Sequence, residues 1–466
     1  MCARRNGLVS AGLVSAVVST LREKRSKSRW NDVKTICGPT GLTPQQVSEI
    51  TLQLRNNPHL ALRFFYWSDR TSLCTHDLIS YSTIIHVLAR SRRFKTITQT
   101  LITTAIRVSE LDDALDGPDH PAPRPPKIFQ TLVKTYSRCD SAPFVFDLLI
   151  RACLKSHNNN LDRSIAIVRL LRSRNIWPSI GTCNLLIRAV SRFRGANAAL
   201  DMYRELFDVR VKPNAQTFNI LMLGFYQHGI MDRVEEIWTE MVKVSDCSDW
   251  CPNVFSYCVL LAAFCDRGMM NRAVGVWEEM RIKDVKPDVM VYNTLISGFC
   301  KSLDLEKAEE VFRQMGLSDV QATPMTYEHM INGYCKIGDV DSAILLYKDM
   351  RRRKFRPDAS TVDLVVGELC NKSRVLEALE MFRDVMKSEV FNPGRLTFEF
   401  LIKGLCEDGK IEEALKLQTE MVGKGFEPDS EIYKAFIMAY NKCGDKEKAR
   451  KLTEEMFTIG SEVGEA

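Results

Sequence analysis

The side chains that most often do chemistry are placed in this chain so that they assemble no reaction centre. The seven histidines, at 59, 76, 86, 120, 157, 228 and 329, show neither metal-ligand spacing nor the pattern of a nucleophile with its base. Cys247 and Cys251 flank a short loop, yet no histidine or second cysteine pair completes a zinc site. No catalytic residue, metal, cofactor or small-molecule substrate is expected. What remains are short polar side chains near helix starts, Asn184, Asn219 and Asn293 above all. An amide offers a donor and an acceptor together. Such a residue also serves commonly as a solvated group or as a cap for its own backbone.

The asparagines recur because the chain recurs. Methionines 280, 315, 350, 386, 421 and 456 are 35, 35, 36, 35 and 35 residues apart. Cys265, Cys300, Cys335, Cys370 and Cys406 keep the same interval, as do Ala273, Ala308, Ala343, Ala378, Ala414 and Ala449. Prolines fall at 178, 213, 252, 287, 357, 393 and 428, with Ala322 where one is due. A register held this long means one supersecondary unit stacked many times, not a single-core enzyme. The units run 143–179, 180–214, 215–253, 254–288, 289–323, 324–358, 359–394, 395–429 and 430–464. The 215–253 unit carries about four extra residues, placed near Ser245–Trp250.

Each unit holds two apolar stripes at helical spacing. In 289–323 these are Tyr292, Leu295, Ile296 and Phe299, then Leu305, Ala308, Val311, Phe312 and Met315. Asp304 is positioned to cap the second helix. Gly268, Gly338, Gly409 and Gly444 separate the helices of their units, and proline near the unit end stops the second. The alanines allow close helix approach. The repeating cysteines read as small buried side chains in a reducing compartment.

Ahead of the array, residues 1–40 read as a transit peptide and disordered N-terminus. Arg4, Arg5, Arg22, Lys24, Arg25, Lys27 and Arg29 face a single acid, Glu23, with serines interspersed. A mitochondrion is preferred to a chloroplast. Residues 41–110 read as an N-terminal helical region with a weak repeat, 111–127 as a Pro-rich linker, and 128–464 as the repeat array. No apolar run reaches the roughly 18 residues of a membrane span. The net charge of +6 is uneven. Residues 1–142 carry 20 Lys+Arg against 11 Asp+Glu, residues 143–214 carry 12 against 5, and residues 215–466 carry 32 against 42. A polyanion is drawn first to the N-terminal half.

The run from Lys286 through Pro287, Asp288, Tyr292, Asn293, Gly298, Phe299 and Cys300 to Lys301 resembles the consensus of the pentatricopeptide repeat family. Thr397–Cys406 with Glu427–Pro428–Asp429 is another good copy. The near-uniform length resembles that family's P class. The resemblance implies an all-α, right-handed superhelical solenoid of stacked helix–turn–helix repeats. It also implies sequence-selective binding of single-stranded organellar RNA in processing, stabilisation, splicing or translation. No segment resembles the family's deaminase extension, and no room for a nuclease domain is seen, so no intrinsic catalysis is expected.

By the same resemblance, one polar residue of the first helix and the last residue of the unit select a base together. The pairs carried over are Asp147/Ser179, Asn184/Asn214, Asn219/Asn253, Cys258/Asp288, Asn293/Thr323, Glu328/Asp358, Asp363/Gly394 and Glu399/Asp429. By the family's code Asn184/Asn214, Asn219/Asn253 and Asn293/Thr323 read pyrimidines. The remaining pairs depart from the common ones, and the acidic ones would repel phosphate. Phe255, Met290, Met325 and Leu396 take the place that stacks on a base, and Lys155, Arg192, Lys301, Lys336 and Lys442 the place that meets phosphates. The acidic C-terminal half leaves alternatives open: a component of the mitochondrial ribosome or another ribonucleoprotein, or a protein-binding scaffold. Ribosomal or RNA-processing proteins would then be partners.

Overall fold

The computed structural model describes residues 2–23, 30–39, 41–91, 94–115, 125–141, 143–155, 161–207, 210–244, 251–387 and 393–462. Most of the Pro-rich linker, the extra residues at 245–250 and Cys247 lie outside them. Among the described residues there are twenty-five helices and no strand. None is long and apolar enough to cross a membrane. The chain forms two compact bodies, residues 1–250 and 251–466.

In the second body each unit is one helical hairpin. The 289–323 unit holds Val289–Lys301 and Leu305–Leu317, and Asp304 caps the latter by accepting from the Lys307 amide. Each second helix folds back on its own first helix, while successive first helices pack on one another. Within two residues of the end of each first helix of this body the chain turns left-handed. Gly268, Gly338, Gly409 and Gly444 do so without strain, whereas Leu303 (φ 62°) and Ser373 (φ 58°) hold the same turn with a side chain.

The repeated residues have packing roles. Ala273, Ala308, Ala343, Ala378 and Ala414 are buried, as are Cys265, Cys300, Cys335 and Cys406, with Cys370 half-buried. A cysteine of one unit sits under a glycine of the next. A Cβ added at Gly298 would lie 2.5 Å from Cys265 Sγ, and one at Gly333 2.9 Å from Cys300 Sγ. Met280, Met315, Met350 and Met421 fill the inter-helix core. Met386 does not: it is half-buried, and Val385, 35 residues past Met350, is buried in its place. The unit's extra residue therefore lies beyond this helix, which keeps the register of its neighbours.

In the first body the hairpins Ile180–Arg194 with Ala196–Leu206 and Ala215–Gln227 with Met231–Val244 follow the same plan. Earlier helices, among them Pro44–Gln53, Pro58–Arg70, Leu78–Ser91 and Lys127–Tyr136, are tied by buried contacts such as His86 Nε2 to the Leu132 carbonyl at 3.1 Å. Residues 1–40 differ from the disordered leader expected of their composition. Cys2–Glu23 and Asn31–Cys37 are helical, and Val14, Val17, Val18 and Leu21 are buried, the first helix packing on Asn31–Cys37 and Pro44–Gln53. An amphipathic stripe becomes a folded element when a neighbour offers an apolar face. Helix Lys95–Leu115 likewise runs into the start of the expected linker.

Replacing Gly298 by alanine should cost about 1–3 kcal/mol by overpacking, read as a lowered urea midpoint. Cys265→Ala should recover part of that loss in the double variant. Strictly additive losses would show that the Gly298–Cys265 approach is not the cause.

Candidate nucleic-acid interface

The first helix of every unit begins with unsatisfied backbone N–H groups, and the last residue of the preceding unit supplies their cap. Asn214, Asn253, Asp288, Asp358 and Asp429 accept through side-chain oxygen from the amides of Thr217, Ser256, Val291, Thr361 and Ile432. Thr323 forms a capping box with Thr326. Ser179 and Gly394 are N-caps without a side-chain bond to the backbone. In six of the eight inferred base-selecting pairs one member is thus fixed in place by the helix it starts.

The other member lies on the preceding first helix. Asn184 and Asn293 are only 2% and 5% exposed, so their amides need partners. Asn184 Nδ2 donates to Asn214 Oδ1 at 3.2 Å, and the Thr217 hydroxyl donates to Asn184 Oδ1 at 2.8 Å. The arrangement recurs at Asn293, which donates to Thr323 Oγ1 at 3.4 Å and accepts from the Thr326 hydroxyl at 2.7 Å. Asp147, also buried, accepts from the Ser179 amide at 2.9 Å. Asn219 is buried in the first body; Asn253 is exposed at the start of the second.

The acidic pairs behave differently. Burial pushes the Glu328 carboxyl up, and the nearby Asp358 adds to the shift. Burial raises Asp363 too, although it accepts from the Thr397 hydroxyl. Gly394 makes room for that carboxylate, since a Cβ there would lie 2.8 Å from Asp363 Oδ2. Glu399 accepts from Arg395 Nε at 2.5 Å, and Arg395 Nη2 lies 3.4 Å from Asp429 Oδ2, so one guanidinium serves the whole pair. Cys258 is half-buried with Sγ 3.6 Å from Thr294 Oγ1, and burial pushes its thiol up, which keeps it neutral.

Phe255 and Met290 are 49% and 59% exposed, and Met325 and Leu396 are similarly open. They stand at the second residue of their first helices, outside the core. Lys155, Arg192, Lys301, Lys336 and Lys442 are all exposed near first-helix ends. Lys301 is already engaged by Asp266 of the preceding unit at 2.7 Å, a contact a phosphate would have to displace. Among the described residues no cluster of His, Cys, Asp and Glu could hold a metal ion.

One row of residues went unnoticed in the sequence. Thr182, Thr217, Ser256, Thr326, Thr361 and Thr397 stand third in their units and are fully buried. The hydroxyls of Thr182, Thr217, Ser256 and Thr326 serve the cap beside them, and those of Thr217, Thr326 and Thr397 the inferred selector of the unit before. A hydroxyl recurring three residues past six of the eight internal unit ends was the available signal.

Profiles of the PPR repeat family match residues 252–292, 287–336 and 322–371, and a further PPR repeat profile matches 391–422. The pentatricopeptide repeat domain profile matches 166–227, and another PPR repeat profile matches 216–245 and 431–461. The Arabidopsis thaliana pentatricopeptide repeat-containing protein At2g15980 is 57% identical over 457 residues, covering 95% of this chain and 90% of that one. The chain belongs to the pentatricopeptide repeat family. A second relative, the mitochondrial Arabidopsis thaliana pentatricopeptide repeat-containing protein At4g26680, is 27% identical over 174 residues, 37% of this chain and 30% of that one. The crystal structure of maize pentatricopeptide repeat protein PPR10 is similar at 16% identity and a TM-score of 0.41, covering 96% of this chain and 74% of that one. Its complex with an 18-nt psaJ RNA element gives 17% identity and 0.40, covering 97% and 79%.

Within this pentatricopeptide array, the burial of Glu328 gives its carboxyl a pH-dependent contribution to stability. Its folded carboxyl titrates above the ordinary 4.5, so the fold binds more protons than the unfolded chain above that value. Stability should rise as pH falls from 7 toward about 4.5. Glu328→Gln should be more stable than the parent at pH 7 and flatten this slope in urea titrations. A less stable variant with the slope intact would show that the carboxylate is held favourably.

Proposed function

We propose that this pentatricopeptide repeat protein binds single-stranded RNA selectively in an organelle and acts in RNA processing, stabilisation, splicing or translation without catalysis of its own. The observation that carries this is the pair of buried, neutral amides, Asn184 and Asn293. Each is held between a cap and a hydroxyl, and among the described residues each keeps one N–H beyond its protein bonds. Such a group suits a ligand with acceptors on a flat edge. The exposed apolar residues two places into the first helices offer sequence-tolerant contact with base faces. Asn184/Asn214 and Asn293/Thr323 are the readers of pyrimidines, and the basic N-terminal half draws the polyanion in.

The mitochondrion is the proposed compartment, with the chloroplast as the alternative. The basic, serine-containing N-terminus supports this, as does a relative named as mitochondrial. A second reading concerns the units from 324 onward. Glu328, Asp363 and Glu399 put carboxylates where phosphate would pass, and Arg395 already neutralises Glu399 and Asp429. That stretch suits a protein neighbour better than RNA, as in a ribosome or another ribonucleoprotein.

Strand-specific sequencing of RNA recovered with the tagged protein tests the proposal. One or two enriched organellar transcripts with pyrimidine-rich footprints are expected. Broad recovery of ribosomal RNA would favour the second reading, and no enriched RNA would end the first. On a recovered footprint, Asn293→Ala should weaken binding by about 1–3 kcal/mol and relax the choice at one base. Lys336→Ala should weaken all sequences alike and reduce the salt slope by about 0.7.

A further inference from the structure

An asparagine can turn its amide over, exchanging oxygen for nitrogen at little cost, and a base would then meet a donor or an acceptor indifferently. Something must hold the amide if it is to discriminate. At Asn184 the surrounding bonds allow one arrangement. The Thr217 hydroxyl oxygen accepts from the Asn214 amide at 3.1 Å, which leaves its single proton to give. Asn214 Oδ1, 3.0 Å from that oxygen, already receives the Thr217 amide at 3.0 Å and Asn184 Nδ2 at 3.2 Å. The proton therefore goes to Asn184 Oδ1, 2.8 Å away. Turning the amide over would break this bond and bring Asn184 Oδ1 against Asn214 Oδ1.

A related network surrounds Asn293, but its cap is the Thr323 hydroxyl, which can donate as well as accept and so opposes the turned-over amide less strongly. Thr326 Oγ1 accepts from the Thr323 amide at 3.0 Å and donates to Asn293 Oδ1 at 2.7 Å, while Asn293 Nδ2 donates to Thr323 Oγ1 at 3.4 Å. In both places the carbonyl is consumed inward and an N–H is left over. The sequence keeps the association: Asn184, Asn219 and Asn293 are each followed by a hydroxyl at the third residue of the next unit, Thr217, Ser256 and Thr326. Of the units that follow another, two carry an aliphatic residue there, Val291 and Ile432, and these follow Cys258 and Glu399, which are not amides.

We propose that Thr217 is a specificity-determining positioning residue: it fixes the amide of the preceding unit with its N–H toward the base. The choice at one base thus depends on three residues spread over two units. A donor held outward suits a ring nitrogen that accepts, as in cytosine, and opposes the ring N–H of uracil. This inference rests on the proposed base reading, and the test separates the two.

The full-length protein is titrated with single-stranded RNAs from its recovered footprint, with cytosine or uracil at one nucleotide. Asn184→Ala locates the nucleotide that Asn184 governs; if no nucleotide responds, base reading itself is overturned. Given a response, Thr217→Val should reduce the cytosine-to-uracil preference there at least fivefold, leave other nucleotides unchanged, and be rescued by Thr217→Ser. Thr182→Val removes a comparable capping hydroxyl with no amide before it and should leave the ratio unaltered. A uniform loss of affinity in Thr217→Val with the ratio intact would assign Thr217 a purely structural role and overturn the inference. A second arm does not depend on that variant folding. Cys258→Asn together with Val291→Thr should create a new base preference stronger than Cys258→Asn alone; equal preferences would overturn the inference.

Discussion

Backbone amides at the start of a helix need acceptors, and in this chain that requirement falls at a fixed place in every unit. The cap comes from the last residue of the unit before, so the joint between units is also the point where a polar side chain is held at the surface. Asn214, Asn253, Asp288, Thr323, Asp358 and Asp429 are bound into the fold whether or not a ligand is present. A side chain immobilised by its own helix loses little freedom when it meets a base, which is the advantage of preorganised recognition. The buried Asn184 and Asn293 extend the same network one layer inward. In the proposed reading, stability and recognition thus share atoms.

That network survives only if successive first helices keep their spacing and register. Small residues provide it. Cys265 under Gly298 and Cys300 under Gly333 let first helices approach closely, and buried alanines do the same between the helices of a hairpin. An extra residue is accommodated outside the helices, as the burial of Val385 in place of Met386 shows. The packing absorbs irregular sequence in the connections, so the reading positions stay in register along each body.

The interval of 35 residues made the helical hairpins and their core legible, because periodic burial leaves a periodic apolar trace. The candidate pairs came from family resemblance, and the structure supplied the bonds that give them physical content. Three features escaped. The helix at Cys2–Glu23 was hidden by a basic composition that says nothing about which apolar face a neighbour will cover. The threonine row looked like ordinary helix-start composition, because a hydroxyl reveals its second partner only when the adjacent unit is placed. The engagement of Glu399 and Asp429 by Arg395 likewise depends on side-chain positions across a unit boundary.

Selection of a random single-stranded RNA pool on the purified protein puts the central claim to its most direct test. The amide-bearing units are 180–214, 215–253 and 289–323, with the Cys258 unit between the last two. The expected enriched motif is two adjacent pyrimidines, one unrestricted nucleotide and a third pyrimidine, in one polarity or its reverse. Within it cytosine should exceed uracil at the position read by Asn184. Enrichment without this spacing, or none at all, would contradict the assignment of base reading to the capped amide pairs.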